Sequence, residues 1–119
     1  MAKLQQFLPP EKENYNSIGL NEMFRFYRYT TGQRFKMHRD GSFKRNEIER
    51  SFYTFMIYLN DDFEGGETEF QNLFTITPKQ GSLLIFYHPL KHESKIITSG
   101  VKYVLRSDIM YQLKTLLLD

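Results

Sequence analysis

Ser51-Phe52-Tyr53-Thr54-Phe55-Met56-Ile57-Tyr58-Leu59 is apolar or aromatic at most of its positions, with no alternation of polar and apolar residues. Successive side chains of a strand point to opposite faces, so a run that is apolar in both sets belongs to a central strand covered on two sides. It stops at Asn60-Asp61-Asp62, whose short polar side chains favour turns. Outward from this run, the chain beyond Glu22 divides into short strand-like segments parted by turn residues, at about 22–29, 33–40, 51–60, 67–71, 73–77, 82–88, 93–98 and 101–111. Strands of this length and punctuation build a sandwich or barrel. Eight of them predict an all-β double-stranded β-helix, the cupin-like jelly roll, with little helix.

A chain of 119 residues is one domain, because two halves would each be too small to bury an adequate core. Residues 1–20, with Pro9-Pro10 and the polar stretch Glu11 to Ser17, read as a lead-in without stable structure of its own, pinned by Phe7 and Leu8. Residues 21–119 are then the domain. Eleven Phe and eight Tyr suit a β-rich core, since aromatic side chains fit the half-buried pleated surface. The tail from Tyr111 to Leu118 reads equally as a short helix or a strand extension.

The absence of cysteine excludes disulfides, thiolate zinc sites, iron–sulfur clusters and thiol catalysis, so any metal must be held by histidine and carboxylate. No segment has the apolar length of a membrane span, and the N-terminus lacks a long apolar signal core. These features predict a cytoplasmic chain with no membrane partner. A net charge of +2 demands no acidic partner and gives no ground for nucleic-acid binding. Arg25, Arg28, Arg34, Lys36 and Arg39 read chiefly as a solvated strand face, one that also suits an anionic cosubstrate or an acidic peptide.

His38 and Asp40 are two residues apart, so on a strand the imidazole and the carboxylate share a face. With His92 they complete two histidines and one carboxylate, the donor set that leaves open positions on non-haem Fe(II). The same donors with one open position also suit Zn²⁺, although no His-Glu-x-x-His helix supplies a general base. His88 is a rival to His92 at a spacing of four, which binds metal on a helix, but Pro89 argues against that helix. His88 is therefore read as a rim or structural residue. Asp61, Asp62, Glu64, Glu67 and Glu69 lack the alternation of a calcium loop and read as solvated turns.

The neighbouring motifs add order and spacing. Tyr29-Thr30-Thr31-Gly32-Gln33-Arg34-Phe35 precedes His38, Gly65-Gly66-Glu67-Thr68 follows the central run, and Ser99-Gly100-Val101-Lys102-Tyr103 follows His92. From about Leu20 to Tyr111 this arrangement resembles the prolyl 4-hydroxylase-like branch of the 2-oxoglutarate/Fe(II) dioxygenases. Tyr29 stands nine residues before His38 and Lys102 ten residues after His92, as in that family. The resemblance implies His38, Asp40 and His92 as Fe(II) ligands, with 2-oxoglutarate and O₂ as cosubstrates and ascorbate as a candidate reductant. It implies Lys102, assisted by Tyr29, for the far carboxylate of 2-oxoglutarate. Arg106 lies on the same strand face and ranks second, because pairing with Asp108 is its plainer role. A carboxylate at Asp40, where related halogenases have a small residue, implies hydroxylation of an unactivated C–H bond. The substrate class left open is a prolyl residue in a peptide, or a small molecule. Tyr27, Phe35 and Tyr58 are candidate walls of the cavity or ordinary core.

Members of that family usually carry a substantial segment before the strand that holds Tyr29, where this chain has about 20 residues. The expectation is a domain lacking that segment. Phe24, Phe26, Phe52, Phe55 and Ile57 would front an incompletely covered sheet face, inviting a homodimer or packing by Leu116 to Leu118. The alternative function is a truncated jelly-roll module that binds metal and 2-oxoglutarate with little turnover, and a third reading is a zinc hydrolase.

Overall fold

The computed structural model describes residues 9–114, and in it the run around Phe55 is the ten-residue strand on which both neighbours of the main sheet are built. In chain order the strands are β1 (Glu11–Lys12), β2 (Tyr15–Leu20), β3 (Arg25–Tyr29), β4 (Phe35–His38), β5 (Glu49–Tyr58), β6 (Glu64–Gly65), β7 (Thr68–Phe70), β8 (Phe74–Ile76), β9 (Leu83–Tyr87), β10 (His92–Ser94), β11 (Ile97–Ser99) and β12 (Lys102–Leu113). Among the described residues there is no helix, and so none long and apolar enough to cross a membrane. One sheet runs β1-β2-β12-β5-β9, with β3 on the first half of β12. A second runs β4-β10-β7-β8, and β11 pairs with β6. The fold is a jelly roll, and the candidate site lies where the smaller sheet faces the first half of β12.

Each of the eight predicted segments contains a strand, with 93–98 divided between β10 and β11. β5 is central, between β12 and β9, as its two apolar faces require. Its odd residues Tyr53, Phe55 and Ile57 join Phe52, Ile109 and Tyr111 in one apolar cluster. Its even residues Thr54, Met56 and Tyr58 face the interior between the sheets, where Val104, Phe70 and Phe86 are buried.

Residues 15–20, read from sequence as part of a lead-in without stable structure of its own, form β2 by pairing with the second half of β12 in the register Ile109↔Leu20 to Leu113↔Tyr15. Tyr15 packs edge-on against Phe52, with ring centroids 5.0 Å apart. Met110 pairs with Gly19 and Tyr111 with Ser17, so Ile18 is an extra, bulged residue. That bulge breaks the period-two pattern by which a strand is recognised. β12 continues as strand to Leu113, which settles the start of the tail; Leu116 to Leu118 lie outside the described residues. Of the five positions expected to front an open face, Phe24 and Phe26 are exposed, Ile57 is half-buried, and Phe52 and Phe55 are buried.

The Gly65-Gly66 turn needs its glycines for different reasons. Both have positive φ, 81° and 70°. A Cβ on Gly65 would sit 2.1 Å from the backbone oxygen of Ile96, whereas one on Gly66 would meet first the side-chain Cδ1 of Ile97 at 2.6 Å. A side chain can turn away more easily than the Ile96 carbonyl, which accepts the backbone N–H of Gly66 at 3.1 Å. Gly65→Ala is therefore expected to cost about 2 kcal/mol or more, the left-handed conformation alone accounting for about 1–2 kcal/mol. Gly66→Ala should cost less. Urea unfolding of the two variants checks the order, and equal losses would show that the Ile96 carbonyl yields.

Candidate metal centre

His38 ends β4 and His92 begins β10, and the two are direct cross-strand partners. Their rings lie 4.3 Å apart between centroids. Asp40, two residues past His38 and buried, turns its Oδ1 to both: Nε2 of His38 is 3.3 Å away and Nε2 of His92 is 3.5 Å away. One donor atom from each residue lies within 4.8 Å of the others.

The ring orientation decides what these atoms can do. Nδ1 of His38 lies 2.6 Å from the carbonyl oxygen of Lys36, and Nδ1 of His92 lies 2.9 Å from that of Leu90. A carbonyl only accepts, so each Nδ1 carries a proton, and the neutral form of either ring presents a lone pair at Nε2. Burial lowers the pKa of His92 and favours this neutral form. Two imidazole lone pairs and a carboxylate oxygen then converge on one point, an arrangement that a cation stabilises. The donor set fits a divalent transition metal with open positions opposite the three ligands. Phe35 stacks on His38 and Phe86 meets His92 edge-on, at centroid distances of 3.8 and 4.7 Å. These contacts hold both rings from the apolar side.

His88 is turned away from this cluster. Its Nε2 is 2.7 Å from Ser51 Oγ and its Nδ1 is 3.0 Å from Thr54 Oγ1. Burial pushes its pKa down to about 4, so it is neutral. From sequence His88 reads as a rim or structural residue, and it lies buried beside Ser51 and Thr54, outside the three-residue cluster.

Lys102, the first residue of β12, is buried opposite Tyr29 of β3. Its ammonium donates to the carbonyl of Gly66 at 2.7 Å and to Ser94 Oγ at 2.8 Å, and it makes no ion pair among the described residues. Burial lowers its pKa to about 8, an effect that nearby Glu67 opposes. A buried ammonium with a third donor to spare fits an anion. Tyr29, 5.2 Å from the ammonium by its ring centroid, has a pKa raised by burial to about 12 and remains a hydroxyl donor. Lys102, Tyr29, Tyr27, Arg106, His38 and His92 line a single narrow cavity of about 40 Å³ that opens to solvent. Phe35 is a wall of it, whereas Tyr58 is wholly buried beside Thr68.

Arg106 differs from its plainer reading. Its Nη2 is 3.2 Å from Asp40 Oδ2, so its ion pair is with the candidate ligand rather than with Asp108. Thr54 Oγ1 donates to the same Oδ2 at 2.6 Å. Thr54 and Ser94 were not singled out from sequence, although a hydroxyl inside the apolar run of β5 is a signal in its own right. Asp61 and Asp62 serve the turns, accepting from Gln80 N and Asn60 Nδ2.

Residues 24–107 match the family model of the 2OG-Fe(II) oxygenase superfamily. A prolyl 4-hydroxylase homologue of Acanthamoeba polyphaga mimivirus is 33% identical over 65% of this chain, and the chain spans 40% of that relative's length. Among solved structures, the viral collagen prolyl hydroxylase of Paramecium bursaria Chlorella virus 1, in its 2OG complex, superposes with a TM-score of 0.64 at 25% identity, covering 95% of this chain and 70% of the viral one. A Pseudomonas putida prolyl-4-hydroxylase shares the fold, with a TM-score of 0.54 at 18% identity over 77% of this chain and 52% of its own.

Proposed function

The chain belongs to the 2OG-Fe(II) oxygenase superfamily, and from that premise we propose that it is an Fe(II)- and 2-oxoglutarate-dependent dioxygenase that hydroxylates an unactivated C–H bond. The observation that carries the proposal is the convergence of His38 Nε2, His92 Nε2 and Asp40 Oδ1, with both histidines lining the same cavity as the Lys102 ammonium, which makes no ion pair among the described residues. His38, Asp40 and His92 would hold the iron. Lys102 and Tyr29 take the far carboxylate of 2-oxoglutarate, and Arg106 acts on the iron site through Asp40. When bound, iron with 2-oxoglutarate and O₂ supplies oxidative decarboxylation to succinate and CO₂ coupled to hydroxylation. The chain's own contribution is to orient 2-oxoglutarate and to exclude water with Phe35 and Tyr27.

For the substrate we propose a prolyl residue in a peptide, supported by similarity to the viral collagen prolyl hydroxylase. The test is succinate release from 2-oxoglutarate in the presence of Fe(II) and O₂, with and without a proline-rich peptide. Release stimulated by the peptide is expected. Release that the peptide leaves unchanged would remove the prolyl substrate. Bound metal and 2-oxoglutarate without succinate would remove turnover itself and leave a binding module.

A further inference from the structure

A carboxylate free at both oxygens can grip one ion with both, and so occupy a coordination position that the cosubstrates need. Asp40 is not free. Its Oδ1 faces the two histidines, while its Oδ2 accepts the hydroxyl of Thr54 at 2.6 Å and lies 3.2 Å from Arg106 Nη2. Thr54 has one hydroxyl proton, and an ionised carboxylate can only accept it. The 3.0 Å contact between Thr54 Oγ1 and His88 Nδ1 must then be donated by the imidazole. A neutral ring protonated at Nδ1 accepts at Nε2, where Ser51 Oγ lies 2.7 Å away, so Ser51 donates there. Ser51 Oγ in turn accepts the backbone N–H of Phe43 at 2.8 Å.

Each link thus has one direction, from Phe43 through Ser51, His88 and Thr54 to Asp40. The backbone also ties Asp40 to the middle of this chain: the N–H of Asp40 donates to the carbonyl of His88 at 3.1 Å. Ser51 and Thr54 of β5 have no exposed surface, and His88, just after β9, has almost none. Apolar residues of the same shape would serve stability about as well, so a polar chain at this place and with this end point is explained by what it does to Asp40.

Resting on the iron-site reading above, we infer that Thr54 and His88 are positioning residues: together they reserve Oδ2 of Asp40 and present the carboxylate to the metal through Oδ1 alone. Thr54 acts directly, and His88 acts only through Thr54. Arg106 holds the same oxygen by charge, but from the cavity side.

Co(II) titration of the full chain, followed by its visible d–d absorption, tests this inference. Thr54→Val keeps the shape and loses the donor, and should weaken Co(II) binding about 10- to 100-fold, the range for loss of an outer-shell partner. Its d–d band should also change, because a second carboxylate oxygen reaches the ion. Thr54→Ser restores the donor and should return both affinity and spectrum to near those of the wild type. His88→Leu should weaken binding, and Thr54→Val with His88→Leu should be no weaker than Thr54→Val alone. Wild-type affinity and spectrum in Thr54→Val would overturn the inference, as would a Thr54→Ser variant no better than Thr54→Val. The Ser/Val contrast holds even if His88→Leu does not fold. Wild-type protein that binds no Co(II), or binds it undiminished in His38→Ala, overturns the metal site itself and this inference with it.

Discussion

His38→Ala and His92→Ala are each expected to lose Fe(II) binding altogether in anaerobic equilibrium dialysis. Loss of an outer-shell partner typically costs about 10- to 100-fold in affinity, and loss of a ligand must cost more. With one histidine gone, two donors remain on the ion and the face that orients the open positions no longer exists. The rings are not interchangeable with His88, because that side chain is committed to Ser51 and Thr54 and points away. Unfolding of the metal-free variants separates this effect from packing, since Phe35 leans on His38 and Phe86 on His92. Full iron affinity in His92→Ala would remove it from the metal site.

The parts of this site visible in the sequence are those governed by local geometry. His38 and Asp40 share a face because a strand repeats every two residues, whereas Lys102 is singled out by the family resemblance, through its offset from His92. Thr54 and His88 meet only because β5 and β9 are neighbours, with Thr54 opposite Phe86 and the N–H of His88 on the carbonyl of Phe52. Nothing in the spacing of Thr54 and His88 announces that pairing. Arg106 shows the same limit. Its position four residues beyond Lys102 placed it on the correct face, but whether it met Asp108 or Asp40 depended on where the segment after β4 returned to the barrel. In the fold, turn residues marked out eight segments, while β2 was hidden by the bulge at Ile18, whose compensation lies in the partner strand.

The second large effect belongs to Lys102. Lys102→Ala should weaken 2-oxoglutarate binding by about 2–5 kcal/mol, roughly thirtyfold to a few thousandfold, because a carboxylate would be buried without its cation. Iron affinity should stay near that of the wild type, since the ammonium touches Gly66 and Ser94 and none of the three candidate ligands. Arg106→Ala should do the reverse, disturbing the metal through Asp40 more than the cosubstrate. The pH dependence follows from the same burial. Lys102 has a pKa near 8 before the anion binds, and only its charged form attracts a carboxylate. Affinity for 2-oxoglutarate should therefore be flat below pH about 8 and fall roughly tenfold per unit above it, as binding requires uptake of the missing proton. Lys102→Arg keeps its charge across this range, so any binding it retains should not fall. Calorimetric titration with 2-oxoglutarate between pH 6.5 and 9.5, roughly centred on the Lys102 transition, measures both effects. A wild-type affinity independent of pH, together with equal small losses in Lys102→Ala and Arg106→Ala, would mean that the anion is anchored by other donors.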